Sequence, residues 1–445
     1  MRKILYIIPL ILFSFTFTGG PPQGWYQQSM PFLNNEPISD IIFLDSLTGF
    51  AVTGDGSPND TNFILKTTNG GDNWVIKFSA YRDFFKIHFI NNTTGFACGG
   101  FNVVGGGLFK TTDGGESWNP LNSPSSIEFR DMSILSNDTL WLVGSSAIDG
   151  GVFHTTNGGS NWTQQLNLGS QNPSKIYMYD ANTGYISNSS TSYLRKTTNG
   201  GINWDVVSGA TGFTDIQFLD ANTGWKARGG TNIQRTTDGG QNWTIQELTP
   251  KGPNIVFSRV SELSILNKDT IWGFGRSEYI TQGNQIRGMI HLTTDGGKTW
   301  GFQLPDTNIL IPSYRQGIFV NKFNGWAYAN TPTGVHTVTG GNDTTIYLSI
   351  QTLSSEIPES FKLHQNYPNP FNPVTNIVYD IKIKSEVKLT IYDISGKQIN
   401  RLVNQTQQPG TYKYTFDGSG LPSGIYLYRL QTESFTETKK MTLVK

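Results

Sequence analysis

The residues of this 445-residue chain that could do chemistry are few: five histidines, one cysteine and a recurring Asn/Asp-Gly-Gly segment. His88, His154, His291, His336 and His364 fall in no His-Glu-x-x-His spacing, so the sequence offers no zinc motif. The Asn and Asp side chains could supply oxygen ligands, but they lack the carboxylate density of a calcium loop. Cys98 sits in an alternating stretch, Phe96 to Cys98, and reads as a small buried residue rather than a nucleophile. Gly105 to Gly107 is glycine-rich without the Gly-Lys-Ser/Thr that cradles phosphate. Glycoside hydrolysis needs two carboxyl groups across a cleft, and no spacing here assigns such a pair. The expectation is therefore no catalytic residue, no cofactor and no metal. Recognition is expected on loops, Gly54 to Asn62 and Arg276 to Met289 being the long polar ones.

The elements that must position these residues announce themselves as repeats. Thr67-Thr68-Asn69-Gly70-Gly71-Asp72-Asn73-Trp74 returns around Asp113 and Trp118, Asn157 and Trp162, and Asn199 and Trp204. It returns again around Asp238 and Trp243, and around Asp295 and Trp300, so the tryptophans lie 44, 44, 42, 39 and 57 residues apart. A degenerate copy, Thr337 to Thr344, has lost the Asx and the tryptophan. In each box the Asx and threonine side chains can accept backbone N–H groups across the turn. The paired glycines take positive φ without steric cost, and the tryptophan wedges between neighbouring sheets. Lys66, Lys110, His154, Lys196 and Arg235 precede the boxes and read as a solvated basic feature of each repeat.

Between the boxes runs a second pattern, an apolar strand, an Asx turn and then an aromatic, as in Phe43-Leu44-Asp45…Thr48-Gly49-Phe50. It occurs seven times, the last being Phe319-Val320-Asn321…Asn324-Gly325-Trp326. Each copy predicts a hairpin of half-buried strands. Units of about 40 residues that cannot bury a face alone must stack around an axis, which predicts an all-β, seven-bladed β-propeller over residues 24–348. Gly24-Trp25-Tyr26-Gln27-Gln28 resembles the strands that follow intact boxes, so the N-terminal end is expected to complete the last blade. A free tail, with Thr345 to Ile350 pairing there instead, is the competing arrangement.

Met1-Arg2-Lys3 followed by the apolar run Ile4 to Phe17 reads as a signal peptide, residues 1–20, too short for a membrane span. Lys+Arg 33 against Asp+Glu 33 leaves no basic footprint for nucleic acid. Residues 349–366 read as a linker. Residues 367–445 alternate in six or so short strands with regular turns, predicting a small immunoglobulin-like β-sandwich.

The boxes resemble the Asp-box of sialidase-type propellers. Box and hairpin together are most similar to the photosystem II stability/assembly factor family of seven-bladed propellers. The resemblance implies that the boxes stabilise blade edges and stand apart from any active site. Sialidase chemistry would need an arginine cluster, a Tyr–Glu pair and an acid on the central face. The arginines Arg82, Arg130, Arg195, Arg228, Arg259, Arg276, Arg287 and Arg315 are instead scattered.

The C-terminal stretch resembles the type IX secretion C-terminal sorting domain. The resemblance is carried by Tyr367-Pro368-Asn369-Pro370-Phe371, the turn at Gly396, Gly410-Thr411-Tyr412, Gly424-Ile425-Tyr426 and the terminal Lys439-Lys440. It implies passage through the periplasm and the type IX machinery of a Gram-negative cell, to the surface or the medium. The reading that results is a non-catalytic binding or scaffolding propeller for a protein or glycan ligand. The alternative is a carbohydrate-active enzyme on the same ring.

Overall fold

The computed structural model describes residues 24–445 except 35, 56–59, 102–104, 125–126, 146–149, 170–172, 189–190, 249–254, 276, 281–285, 306–307, 343–349, 355–357 and 419–420. The expected signal peptide lies outside the described residues, as does most of Thr345 to Ile350. Among the described residues, seven four-stranded antiparallel sheets form the blades, and no α-helix occurs. In blade 1 the strands are Ile38–Phe43, Gly49–Thr53, Asn62–Thr67 and Val75–Ala80, each paired with the next. Blades 2 to 5 repeat this up-and-down order from Asp83 to Glu247. Blade 6 uses Glu262–Ile265, Ile271–Phe274, Ile290–Thr293 and Gly301–Gln303. The extra residues before the sixth box build a separate three-stranded sheet from Ile255–Ser258, Ser277–Ile280 and Ile286–Arg287.

The hairpin glycine is a matter of volume. A Cβ on Gly95 would lie 2.7 Å from the Phe89 ring, the residue at the end of the first strand. Four blades pair a first-strand Phe with Gly: Phe43↔Gly49, Phe89↔Gly95, Phe218↔Gly224 and Phe319↔Gly325. Where the first strand ends in the smaller Ile134 or Ile265, the partner is Leu140 or Ile271 instead. Those same phenylalanines join the blades. Phe43 stacks on Trp326 of blade 7 at 3.6 Å and meets Trp74 edge-on at 5.8 Å. Such rings bury large apolar areas in an offset or edge-to-face geometry worth about 0.5–1.5 kcal/mol beyond the area term.

The ring closes on the N-terminal strand. Tyr26–Ser29 pairs with Thr333–Thr337 as the outer strand of blade 7. Trp25, 3% exposed, takes the place of the missing seventh tryptophan, edge-on to Phe319 at 5.8 Å and donating Nε1–H to Gln303 Oε1 at 2.7 Å. The two ends of the ring, some 310 residues apart in sequence, thus form one sheet, with the Tyr26 hydroxyl on His336 Nδ1 at 2.6 Å.

One residue breaks the pattern. The second-strand slot after the aromatic holds Ala51, Ala97, Leu142, Ile186, Gly273 and Ala327, but Lys226 in blade 5. Lys226 is fully buried, its ammonium donating to Thr211 O at 2.5 Å and lying 4.5 Å from the Trp243 ring centre. Burial, assisted by Arg228, lowers its pKa to about 7. A lysine whose folded pKa falls below its unfolded value loses stability as pH drops from about 10 to 7, by up to about 4 kcal/mol. Lys226→Ile is expected to stabilise the protein at pH 7 by about 2 kcal/mol, after loss of the Thr211 and Trp243 contacts. The gain should shrink toward pH 10; urea melts of both proteins at the two pH values check this, and an equal gain at both would refute it.

The C-terminal unit is a sandwich of two four-stranded sheets. One holds Val374–Ile381 and Gly410–Asp417, the other Ser385–Asp393, Gln398–Gln407, Gly424–Gln431 and Thr436–Leu443. Between them lie Ile377, Tyr379, Leu389, Ile391, Tyr428 and Leu430, all fully buried. The segment read as a linker is corrected here: Ile350–Ser354 pairs with Gly410–Asp417, and Lys362–Leu363 with Val374–Ile381. Composition hid these strands, because one is short and the other is separated from its partner by more than fifty residues.

Candidate functional site

All six intact boxes adopt one geometry. In the first, Thr67 Oγ1 accepts the Gly71 N–H at 3.0 Å and donates to Asn69 Oδ1, which accepts the Asn73 N–H at 2.9 Å. The same bonds recur about Asp113, Asn157, Asn199, Asp238 and Asp295. Gly70 and Gly71 sit at φ 71° and 90°, as turns of this kind require. Trp74, Trp118, Trp204 and Trp300 are buried, while Trp162 and Trp243 are half-buried. In the degenerate copy Thr337 Oγ1 still accepts the Gly341 N–H, at 2.8 Å. These side chains are spent on closing turns.

The basic residues before the boxes are not merely solvated. Strand register sets each opposite the second-strand aromatic, so Lys66, Lys110, Lys196 and Arg235 lie 5.2–5.8 Å from the rings of Phe50, Phe96, Tyr185 and Trp225. His154 and His336 stack on Trp141 and Trp326 in the same slot, at 4.3 and 4.5 Å. Each is a cation–π or ring-stacking seat within its own blade. Cys98 is fully buried, and burial raises its thiol well above the usual range, which leaves it unreactive.

In the C-terminal unit Phe371 is buried and Tyr367 is 80% exposed. Pro368, Pro370 and Lys440 are exposed, and Lys439 pairs with Glu437 at 3.1 Å. Tyr426 is buried with its hydroxyl on Pro422 O at 2.8 Å, Gly396 has φ 85°, and Gly410 and Gly424 open strands. The Phe371 N–H donates to Thr442 O at 2.9 Å, and the Thr442 N–H to Asn369 Oδ1 at 2.9 Å. The proline-spaced segment therefore covers the outer edge of the last strand.

The concave feature with ionisable groups lies elsewhere, on the axis. The first strands of the blades present one residue each at a common level: Asp40, Lys86, Asp131, Lys175, Asp215, Glu262 and Gln316. Their second-strand partners, Val52, Cys98, Val143, Ser187, Ala227, Phe274 and Tyr328, confirm the equivalence. In blades 1 to 4 a β-bulge precedes this position, freeing Ser39, Phe85, Arg130 and Ser174 from the ladder. A cavity of about 380 Å³ is lined by every member of this ring but Asp131, together with Ser261, Arg259 and Arg315. A second, of about 520 Å³, shares Ser39, Phe85, Lys175 and Thr214 with it and adds Arg130, Ser174 and Asn188.

Most of the ring's carboxylates have a mechanical task. Asp40, Asp131 and Asp215 accept the backbone N–H of Ile87, Ile176 and Leu263 in a following blade, at 2.9, 3.0 and 2.8 Å. Gln316 donates to Ser39 O across the blade 7–blade 1 seam at 2.6 Å. Lys86 is tied to Asp40 at 3.1 Å; burial opposes its charge, but Asp40, Asp131 and other acids outweigh that and raise its pKa. Burial raises Asp215, against the pull of the Leu263 N–H. Glu262 is driven well up by burial, against Lys86, with Asp215 adding to the rise. Two groups remain outside the latching scheme: the side chains of Lys175 and Glu262 make no hydrogen bond or ion pair among the described residues. Sequence reasoning missed this ring. The available signal was positional, since each member stands three residues before the apolar residue that ends its first strand.

The arrangement defines a class, a seven-bladed β-propeller with an axial channel, joined to a C-terminal β-sandwich. Residues 75–213 match the photosynthesis system II assembly factor YCF48 family, and residues 365–444 match the secretion system C-terminal sorting domain. The chain is thus a propeller of the YCF48-like type followed by a type IX sorting domain, which marks it for secretion or cell-surface export. The solved structure of YCF48 bound to D1 peptide is similar over 72% of this chain and 100% of that one, at 19% identity and TM-score 0.52. YCF48 from Cyanidioschyzon merolae is similar over 71% and 98%, at 16% identity and TM-score 0.52. At such identities the likeness extends to the fold alone. No curated protein sequence matches the chain. Among the described residues no helix is long and apolar enough to cross a membrane.

Proposed function

We propose that the chain is carried by the type IX machinery through the periplasm and outer membrane, and that its propeller acts there as a non-catalytic binding module. The C-terminal match supports the route. The observation that carries the binding reading is the axial cavity, whose walls are tied blade to blade by hydrogen bonds to Asp40, Asp131 and Asp215. A solved relative of the same fold holds a peptide, which supports a propeller of this kind working by binding.

Hydrolysis is the second reading, favoured by two carboxyls with raised pKa, Asp215 and Glu262, in one cavity. General acid–base work needs both groups free to exchange protons. Asp215 is committed to the Leu263 N–H, which leaves Glu262 without a free partner and favours binding.

Two measurements test the proposal. In a bacterium with type IX secretion, the full chain should reach the surface or medium, whereas a chain lacking residues 350–445 should stay in the periplasm. Equal distribution of the two would overturn the export reading. Turnover of aryl glycosides that vanishes in Glu262→Gln would overturn the non-catalytic one.

A further inference from the structure

The geometry points to a saccharide, one or two neutral sugar units of a glycan, as the ligand of the axial channel, seated between Lys175 and Glu262. This deepens the binding reading above and rests on it. The cavity of about 380 Å³ is within the ~300–1,000 Å³ of small-molecule sites. Its chemistry narrows the occupant by elimination. An anion would face Asp40, Asp215 and Glu262, and a cation would face Lys86, Lys175, Arg259 and Arg315. An apolar ligand would strip water from all of them without replacing its hydrogen bonds. A neutral polyol is both donor and acceptor at every hydroxyl, and can pair with either sign of charge.

The two groups left over from latching supply what vicinal hydroxyls need. The Lys175 ammonium donates only, and the Glu262 carboxyl accepts when ionised and can also donate when protonated. Neither side chain has a hydrogen bond among the described residues, so binding breaks none. Ser261 and Thr214 add hydroxyls at the rim, and Phe85, on the shared wall of both cavities, adds an apolar face for the sugar's C–H groups. The Arg130 guanidinium lies 4.2 Å from the Phe85 ring centre and helps to fix that ring in place.

The test is calorimetric titration of the full chain with cellotriose, maltotriose, chitotriose and mannotriose, and with glucuronate, inorganic phosphate and a Glu-rich peptide as rivals. At least one neutral trisaccharide is expected to saturate one site per chain. Lys175→Met and Glu262→Ala should each weaken it by about tenfold or more without lowering the melting temperature, since neither side chain holds a blade. Ser261→Trp, in the wall of the axial cavity, should plug it and abolish binding even if either of the first two variants misfolds. The inference is overturned if no neutral sugar binds, if only the charged rivals bind, or if sugar binding survives all three substitutions. Surface export of a chain whose channel binds none of them would sink this inference while leaving the export reading in place.

Discussion

A chain lacking residues 24–29 is expected to melt on the order of 10 °C below the full-length protein, or to lose its cooperative transition. Three losses combine. Blade 7 forfeits a four-residue antiparallel pairing, Tyr26↔His336 to Ser29↔Thr333, and presents a raw edge. Trp25 no longer fills the seam beside Trp272 and Phe319, and burial of one indole is worth up to about 5 kcal/mol. Gln28 no longer donates to Gly70 O at 2.9 Å, a bond that runs from blade 7 to the first box. Trp25→Ala alone should reproduce about half of the effect. Calorimetric scans of the three proteins decide the matter, and a deletion that shifts the midpoint by less than about 2 °C would remove the N-terminal strand from the closure.

Acidification from pH 6.5 to 4 is expected to cost the propeller on the order of 4 kcal/mol. Burial lowers His88, His291 and His336 to about 4 each, whereas their unfolded value is near 6.5. A group whose folded pKa is depressed contributes stability above the unfolded value and loses it as pH falls toward the folded one. For each histidine that swing is worth about 3 kcal/mol. Asp215 and Glu262, raised in the fold, act in the opposite sense and reduce the net loss. The box aspartates do not interfere: Asp238, lowered to about 2 chiefly by hydrogen bonds from Asn242, gives up its contribution below this window. His291 isolates one share, being fully buried. In His291→Leu the drop between pH 6.5 and 4 should be smaller by about 3 kcal/mol, read from urea midpoints at the two pH values. An unchanged slope would assign the acid sensitivity elsewhere.

What could be read in the sequence was what local hydrogen bonding dictates. Thr67, Asn69 and the two following glycines interact within five residues, so their types and spacing must recur wherever the turn recurs. The hairpins were legible for the same reason, through the exchange of volume between Phe89 and Gly95. Trp25 was legible because its flanking residues copy those of an intact outer strand. The axial ring was not, because its members meet only after seven blades have closed, and no local rule restricts their type. Asp, Lys, Glu and Gln all fit a position whose neighbours come from other blades. The strand Ile350–Ser354 escaped for a related reason, since its partner lies at Thr411 to Tyr414. Lys226, alone among small or apolar residues at its slot, was visible in the alignment of repeats but carried no motif.

Sewing the first strand to the last blade inverts the order of assembly. The residues of Tyr26–Ser29 leave the ribosome well before their partner, Thr333–Thr337, which is among the last of the ring to be made. A chain threaded across a membrane from its N-terminus would therefore travel with its circle unfastened. Its circle can be fastened only once residue 337 has followed the first strand.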